Sequence, residues 1–219
     1  MMTPVDRLLQ KLRSAKKADG YIAAHQEYMQ EADANAREFV AQNQINLACR
    51  DGCSFCCHQK VRARAQEIFS IAHYIQSEFS KEEQTRLISR LKKNVAALAG
   101  LSEIEHSRKN VACPLLDDSR CSVYSVRPGA CRTYHSLDVK SCEYSYSHPG
   151  DVQEKRPVDV RLEAAWMEMR SMENGVFAHE NFDDNAYELG AALLEALTNP
   201  TSAKRWRTHK KAFVETAHT

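Results

Sequence analysis

No apolar run in this sequence approaches the roughly 20 residues that a membrane-crossing helix needs. The N-terminal stretch MMTPVDRLLQKLRSAKK has no continuous apolar segment and no small-residue cleavage site, and Asp6 interrupts it. It reads as a helix, not as a signal or transit peptide, and the cytoplasm is the expected location. Charge of one sign is missing too. Lys plus Arg is 30 against 29 for Asp plus Glu, a net charge of +1. That leaves no basic footprint for nucleic acid. Neither a membrane nor a nucleic acid is an expected partner, and nothing defines a protein partner. There is no internal repeat and no low-complexity segment. No Ser-His-Asp order, phosphate loop or paired-carboxylate signature stands out, so no catalytic residue is assigned.

The flanks also lack cysteine. All eight cysteines fall between Cys49 and Cys142. Cysteines that merely fill a core would be spread along helix faces. A disulfide framework does not suit a reducing compartment. Clustered thiols at short, fixed spacings are what a thiophilic metal requires.

The chain of 219 residues suffices for one well-buried core. Thr3-Pro4 is a natural helix start, Leu8, Leu9 and Leu12 form an apolar stripe, and Gly20 is expected to end that helix. Tyr21 to Leu47 lacks Gly and Pro and is expected to form one long helix. Ile68, Ile71, Ala72, Ile75 and Phe79 recur at helical spacing. Ser80-Lys81-Glu82-Glu83 is a capping box that opens a helix with Leu87, Leu91, Val95 and Leu98 inward, closing near Gly100. Pro157 is expected to start another, with Leu162, Trp166 and Met169 on one face. Asp183 or Asp184 is expected to cap a last one, with Tyr187, Leu194 and Leu197 inward, ended by Asn199-Pro200. Between Ala112 and Asp151 the prolines, glycines and short polar runs predict loops and short helical turns. The expected fold is mainly α. It is a single helical domain with a central, irregular, cysteine-rich metal-binding region. Its expected divisions are an N-terminal helical extension over 1–48, a cysteine core over 49–151 and C-terminal helices over 152–219.

The first cysteine group is Cys49-Arg-Asp-Gly-Cys53-Ser-Phe-Cys56-Cys57. Two cysteines two residues apart in a tight turn can direct both sulfurs to one metal. Gly52 permits the positive φ that closes such a turn. The side chains of adjacent Cys56 and Cys57 diverge, so they suit two neighbouring metals, or one ligand and one core residue. The second group is Cys113, Cys121, Cys131 and Cys142, spaced too widely for one turn. Four plus four thiols allow two four-cysteine sites, or one such site with spare or redox-active thiols. Zinc and an iron–sulfur cluster both suit the set.

Arg50, Lys60, Arg62, Arg64, Arg120, Arg127 and Arg132 crowd the same segments. Most read as solvated surface. Arg127 and Arg132, beside Cys131, are candidates for offsetting thiolate charge. His58 and His135 are candidate auxiliary ligands.

The double cysteine, a following helix with Glu67-Ile68, Cys113-Pro-Leu-Leu, and the block Cys121-Ser-Val-Tyr124-Ser-Val-Arg127-Pro128-Gly-Ala-Cys131-Arg132-x-Tyr134 form a recognisable set. Together they resemble the YkgJ-type cysteine-cluster family of zinc- or iron-chelating domains, over roughly Cys49 to Cys142. The family's usual opening is C-x2-C-x2-C-C, and this chain has one residue more in the first gap. The resemblance implies metal binding and no particular reaction. A related cysteine region in flagellin lysine N-methylases is associated with an iron–sulfur cluster.

Three functions are compatible with these residues. The first is a metal-binding protein in redox, metal handling or an accessory role. The second is an iron–sulfur enzyme using S-adenosylmethionine, since Cys49-x3-Cys53-x-Phe55-Cys56 fits the C-x3-C-x-aromatic-C signature. That enzyme would need a β/α barrel. The third is a scaffold whose metal only staples loops for protein contacts.

Overall fold

Thr3 opens the fold. Its side chain accepts the Asp6 N–H, the Asp6 carboxylate accepts the Thr3 N–H, and Pro4 sits in the first turn of α1 (Pro4–Ser14). The structure is a computed structural model that describes residues 2–151 and 156–214. The expected boundary at 152 and the end of the C-terminal segment beyond 214 lie outside the described residues. Leu8 and Leu12 point inward as the stripe predicts. Gly20 does not end this helix. It lies in the first turn of α2 (Ala18–Gln42), where a Cβ would stand 2.8 Å from that of Ala15, so the corner between the helices admits only glycine. Ion pairs Arg7–Glu31 and Lys11–Glu27 run the two helices antiparallel.

A short strand, β1 (Arg62–Arg64), leads into α3 (Ala65–Glu78), which buries Ile68, Ile71, Ala72 and Ile75 as expected. The capping box at Ser80 starts α4 (Lys81–Leu98), and Gly100 follows it at φ +77. The cysteine region then runs through α5 (Glu103–Ser107), β2 (Leu116–Asp117), β3 (Arg120–Cys121), α6 (Gly129–Thr133) and α7 (Val139–Ser147). The expectation of loops and short turns holds, apart from a two-residue hairpin joining β2 to β3.

The next long helix, α8 (Val160–His179), is capped by Asp159, two residues after the predicted start at Pro157. Asp183 caps no helix. It is buried and accepts hydrogen bonds from the Tyr187 hydroxyl and the Ala212 N–H, both at 2.6 Å. The cap is Glu188, at the end of β4 (Ala186–Glu188), and it opens α9 (Leu189–Thr198). Leu189, Ala192 and Leu193 face inward there, while Leu194 and Leu197 are only half-buried. Asn199-Pro200 ends α9 and starts a further helix, α10 (Pro200–Arg207), because the Asn199 side chain caps Thr201 and Pro200 suits a first turn. Strands β1 and β4 pair antiparallel, Arg62 opposite Glu188.

One core runs from Leu8 to Phe213, drawing on α1, α2, α3, α4, α8, α9 and α10. Trp206 is fully buried within it. It stacks on Phe69 at 4.8 Å and meets Phe182 and Tyr21 at 5.4 and 5.9 Å. Trp206→Ala is expected to lower unfolding free energy by about 3–5 kcal/mol, read from urea titration. A change near zero would mean the aromatic centre collapses around the void. Among the described residues no helix is long and apolar enough to cross a membrane.

Candidate metal centre

The first cysteine group hangs between α2 and β1. The Cys53 N–H bonds back to the Arg50 carbonyl at 3.1 Å across a turn in which Gly52 has φ +78. That turn absorbs the extra residue of the first gap, as the glycine predicts. A 3-10 turn over Phe55–His58 then carries Cys56 and Cys57.

The α3–α4 hairpin returns the chain beside its start. The Cys113 N–H donates to the Cys57 carbonyl at 2.8 Å, so the two groups meet directly. The β2–β3 hairpin sets Cys121 opposite Leu116, and α6 carries Cys131. Cys142 sits on α7, which packs on the Phe55–His58 turn through Tyr146, 5.7 Å from the Phe55 ring and 4.8 Å from the His58 ring. The Ala48 N–H donates to the Ser136 carbonyl at 2.9 Å and holds the Cys49 end against the segment before α7.

The thiols fall into two neighbourhoods joined at Cys56. Cys49 feels the charges of Cys56, Cys142 and Cys53. Cys131 feels those of Cys113, Cys121 and Cys56. Cys113 and Cys121 pack on the hydrophobic core, whereas Cys49 is exposed. Burial pushes the Cys113 thiol up to about 12, and it raises Cys131, Cys121 and Cys49 as well. Cys56 is raised first by its hydrogen bond with Cys57 and then by burial. Backbone N–H groups oppose this. Those of Leu115, Val123 and Ser136 bond the sulfurs of Cys113, Cys121 and Cys49 and lower their pKa values. Such bonds favour the thiolate that a metal needs.

The donor set therefore fits a thiophilic metal. All eight cysteines are free thiols, and thiolates gathered this closely repel one another unless a cation lies between them. As the side chains stand, the thiols are gathered but not closed: among the described residues no three Cys, His, Asp or Glu groups already form a ligand set.

The cations divide by task. Arg127 lies 3.9 Å over the Tyr124 ring, and its charge lowers the pKa of Cys121. Arg132 is buried and pairs with Asp33 of α2, while donating to the Arg127 and Ser125 carbonyls at 2.9 and 2.8 Å. It pins the loop before Cys131 onto the helical frame. Burial pulls its guanidinium down to about 10, so it stays charged at neutral pH.

Both ring nitrogens of His135 are taken. Nδ1 meets the Thr133 carbonyl at 3.0 Å, and Nε2 accepts the Asp159 N–H at 3.1 Å. So placed, His135 is a strut between α6 and α8. His58 uses Nδ1 on the Ser54 carbonyl at 3.1 Å, which leaves Nε2 as its one nitrogen for a metal.

Sequence reasoning missed Arg156, and it named Glu67 only within the family motif, without a role. The Arg156 guanidinium lies 3.7 Å over the Tyr134 ring, donates to the His135 carbonyl at 2.7 Å and lowers the pKa of Cys56. It follows the last cysteine by fourteen positions, and no spacing rule reaches it. Glu67 is buried. One oxygen accepts the Arg64 N–H at 2.7 Å at the start of α3, and the other accepts the Gly129 N–H at 2.6 Å at the start of α6. Glu67→Ala strands one buried donor and one part-buried donor. It is expected to cost about 2–4 kcal/mol of unfolding free energy by urea titration. A loss below about 0.5 kcal/mol would mean water replaces the carboxylate.

The profile of one protein family, CxxCxxCC, described as "Putative zinc- or iron-chelating domain", matches residues 48–162, more than half of the chain. The match is longer than the cysteine span itself and takes in Arg156 and the start of α8. No curated protein and no solved structure matches. With all eight cysteines inside the matched segment and their two groups meeting at Cys57 and Cys113, the chain belongs to the CxxCxxCC family.

Proposed function

We propose that the protein binds zinc or iron–sulfur through two adjacent four-thiol sites that share the Cys56–Cys57 pair. Cys113, Cys121 and Cys131 belong to an inner site against the core, and Cys49, Cys53 and Cys142 to an outer one. Cys56 and Cys57 contribute one thiol to each. The observation that carries this reading is the bond from the Cys113 N–H to the Cys57 carbonyl, with Cys56 electrostatically coupled to both groups. His58, one residue past the pair, is a reserve ligand for either site, and Arg127 and Arg156 offset thiolate charge. Bound zinc would staple the loops and be available for transfer, while an iron–sulfur cluster would add electron transfer. Eight free thiols support a reducing compartment such as the cytoplasm. The role is redox, metal handling or an accessory one. The S-adenosylmethionine reading has no support from the fold: among the described residues there are only two antiparallel two-stranded pairs and no parallel barrel.

Anaerobic purification with an optical spectrum and elemental analysis tests the proposal. Zinc without visible absorbance, or iron and sulfide with a charge-transfer band, each supports it and names the metal. Protein carrying neither, which also fails to take up either on reconstitution, overturns it.

A further inference from the structure

On the outward face of α8, beside the β1–β4 end, lies a shallow, open cleft of about 430 Å³ that includes Arg64, Arg170, Ser171, Asn174 and Asp184. Its two cations are only partly engaged. Arg64 donates to the Asp184 carbonyl, and Arg170 reaches the Thr133 hydroxyl at 3.4 Å. Among the described residues neither guanidinium lies within ion-pair distance of a carboxylate, although other arginines share that state. A guanidinium has five donors, so each keeps several for a ligand. Gln66 donates to Asn174 Oδ1 at 3.2 Å, which leaves the Asn174 amide N–H groups to donate. Hydrogen-bond donors therefore predominate in the cleft.

Gly175 lies in the interior of α8, a 20-residue helix, where glycine costs stability relative to alanine. Neither a positive φ nor a close neighbour requires it: a Cβ there would meet nothing within 4 Å. The consequence of the missing side chain is open space in the cleft. Met167 lines the same cleft and is 61 % exposed, an apolar surface beside the cations. Asp184 also lines the cleft, and its negative charge disfavours a long polyanion and suits a compact anion.

The geometry points to a binding site for a small organic anion, a carboxylate or phosphate ester bearing an apolar group, in the cleft between α8 and β1. The anion meets Arg64 and Arg170, and the apolar group lies over Gly175 and Met167. Bidentate pairing with guanidinium is the ordinary mode for either headgroup. None of its residues is a cysteine, although Arg170 reaches α6 of the cysteine region through Thr133 and Gly129.

Calorimetric titration of the full chain tests it, with phenyl phosphate in one arm and 3-phenylpropionate in the other. Saturable binding of either probe is expected, and the arm that binds identifies the headgroup. The double variant Arg64→Gln/Arg170→Gln should weaken it about tenfold or more. Gly175→Leu keeps both cations and favours helix, yet fills the cleft, and should abolish binding while the circular dichroism spectrum is retained. The absence of saturable heat from both probes up to about 10 mM overturns the site. So does binding that survives unchanged in both variants.

Discussion

Removing metal is expected to open the cysteine region to protease while leaving the helical frame folded. The segment from Ala112 to Asp151 is built from two-residue strands, five- and nine-residue helices and turns. Its buried apolar anchors are few, chiefly Leu115 and Val123. Ordering one residue costs about 1–2 kcal/mol of backbone entropy, more than so little burial offsets. A structural metal site contributes on the order of 10 kcal/mol. The frame of α2, α3, α4, α8 and α9 has its own core and keeps its helical signal. Chelated and reloaded samples, digested side by side, should differ in cuts near residues 44–60 and 112–148, and circular dichroism should change little. Identical digestion patterns would show that the loops do not depend on metal.

The metal-free protein should also lose stability as pH rises. The folded pKa values of Cys49, Cys56, Cys113, Cys121 and Cys131 stand above the ordinary 9.0, with Cys113 at about 12. The folded state therefore holds protons that the unfolded chain gives up. Stability from this source is fully present below about 9 and is lost as pH climbs toward about 12. Metal-loaded protein, whose thiols are already deprotonated, should not share this slope.

Serine replacements along the cysteine set should divide by neighbourhood. Cys131→Ser removes a ligand from the inner site and Cys142→Ser one from the outer. Each should lower bound metal by about half, and the double variant should remove nearly all of it. Cys131→Ser should also loosen the core side, because Cys113 and Cys121 pack there, whereas Cys142→Ser should leave thermal stability nearer the parent. His179→Ala, outside the cluster, is the control with unchanged content. Full metal in Cys131→Ser with unaltered protease resistance would strike that residue from the site. Loss of all metal in each single variant would favour one merged cluster over two sites.

The parts of this architecture legible in sequence are those governed by local chemistry. The Thr3-Pro4 start, the capping box at Ser80 and the Ile68–Ile75 stripe act within a few residues, so the helices were readable. The return of Cys113 to Cys57 rests on the α3–α4 hairpin, whose two helices the Ile68–Phe79 stripe and the Ser80 box mark separately. What escaped depends on distant partners. Asp183 resembles a helix cap until Tyr187 and Ala212 are seen to use its carboxylate. Gly20 resembles a helix stop, but Ala15 crowds it. The three-residue strands β1 and β4 are too short for alternation to register, and each exists because the other does. Arg156 carries no motif, and only the folded chain brings it beside Cys56.

The contact between Cys57 and Cys113 also sets an order of events for a chain emerging from the ribosome. The thiols of the first group exist long before their partners are synthesised. They cannot be gathered until both intervening helices have formed and turned back, because closing so long a loop has an entropic cost that the helices must first shorten. The β1–β4 pair delays completion further, since Arg62 waits for Glu188 near the other end of the chain. The α3–α4 hairpin therefore precedes closure of the cysteine cluster. The thiol set is complete before the last helices of the frame exist, so metal capture need not wait for the finished protein.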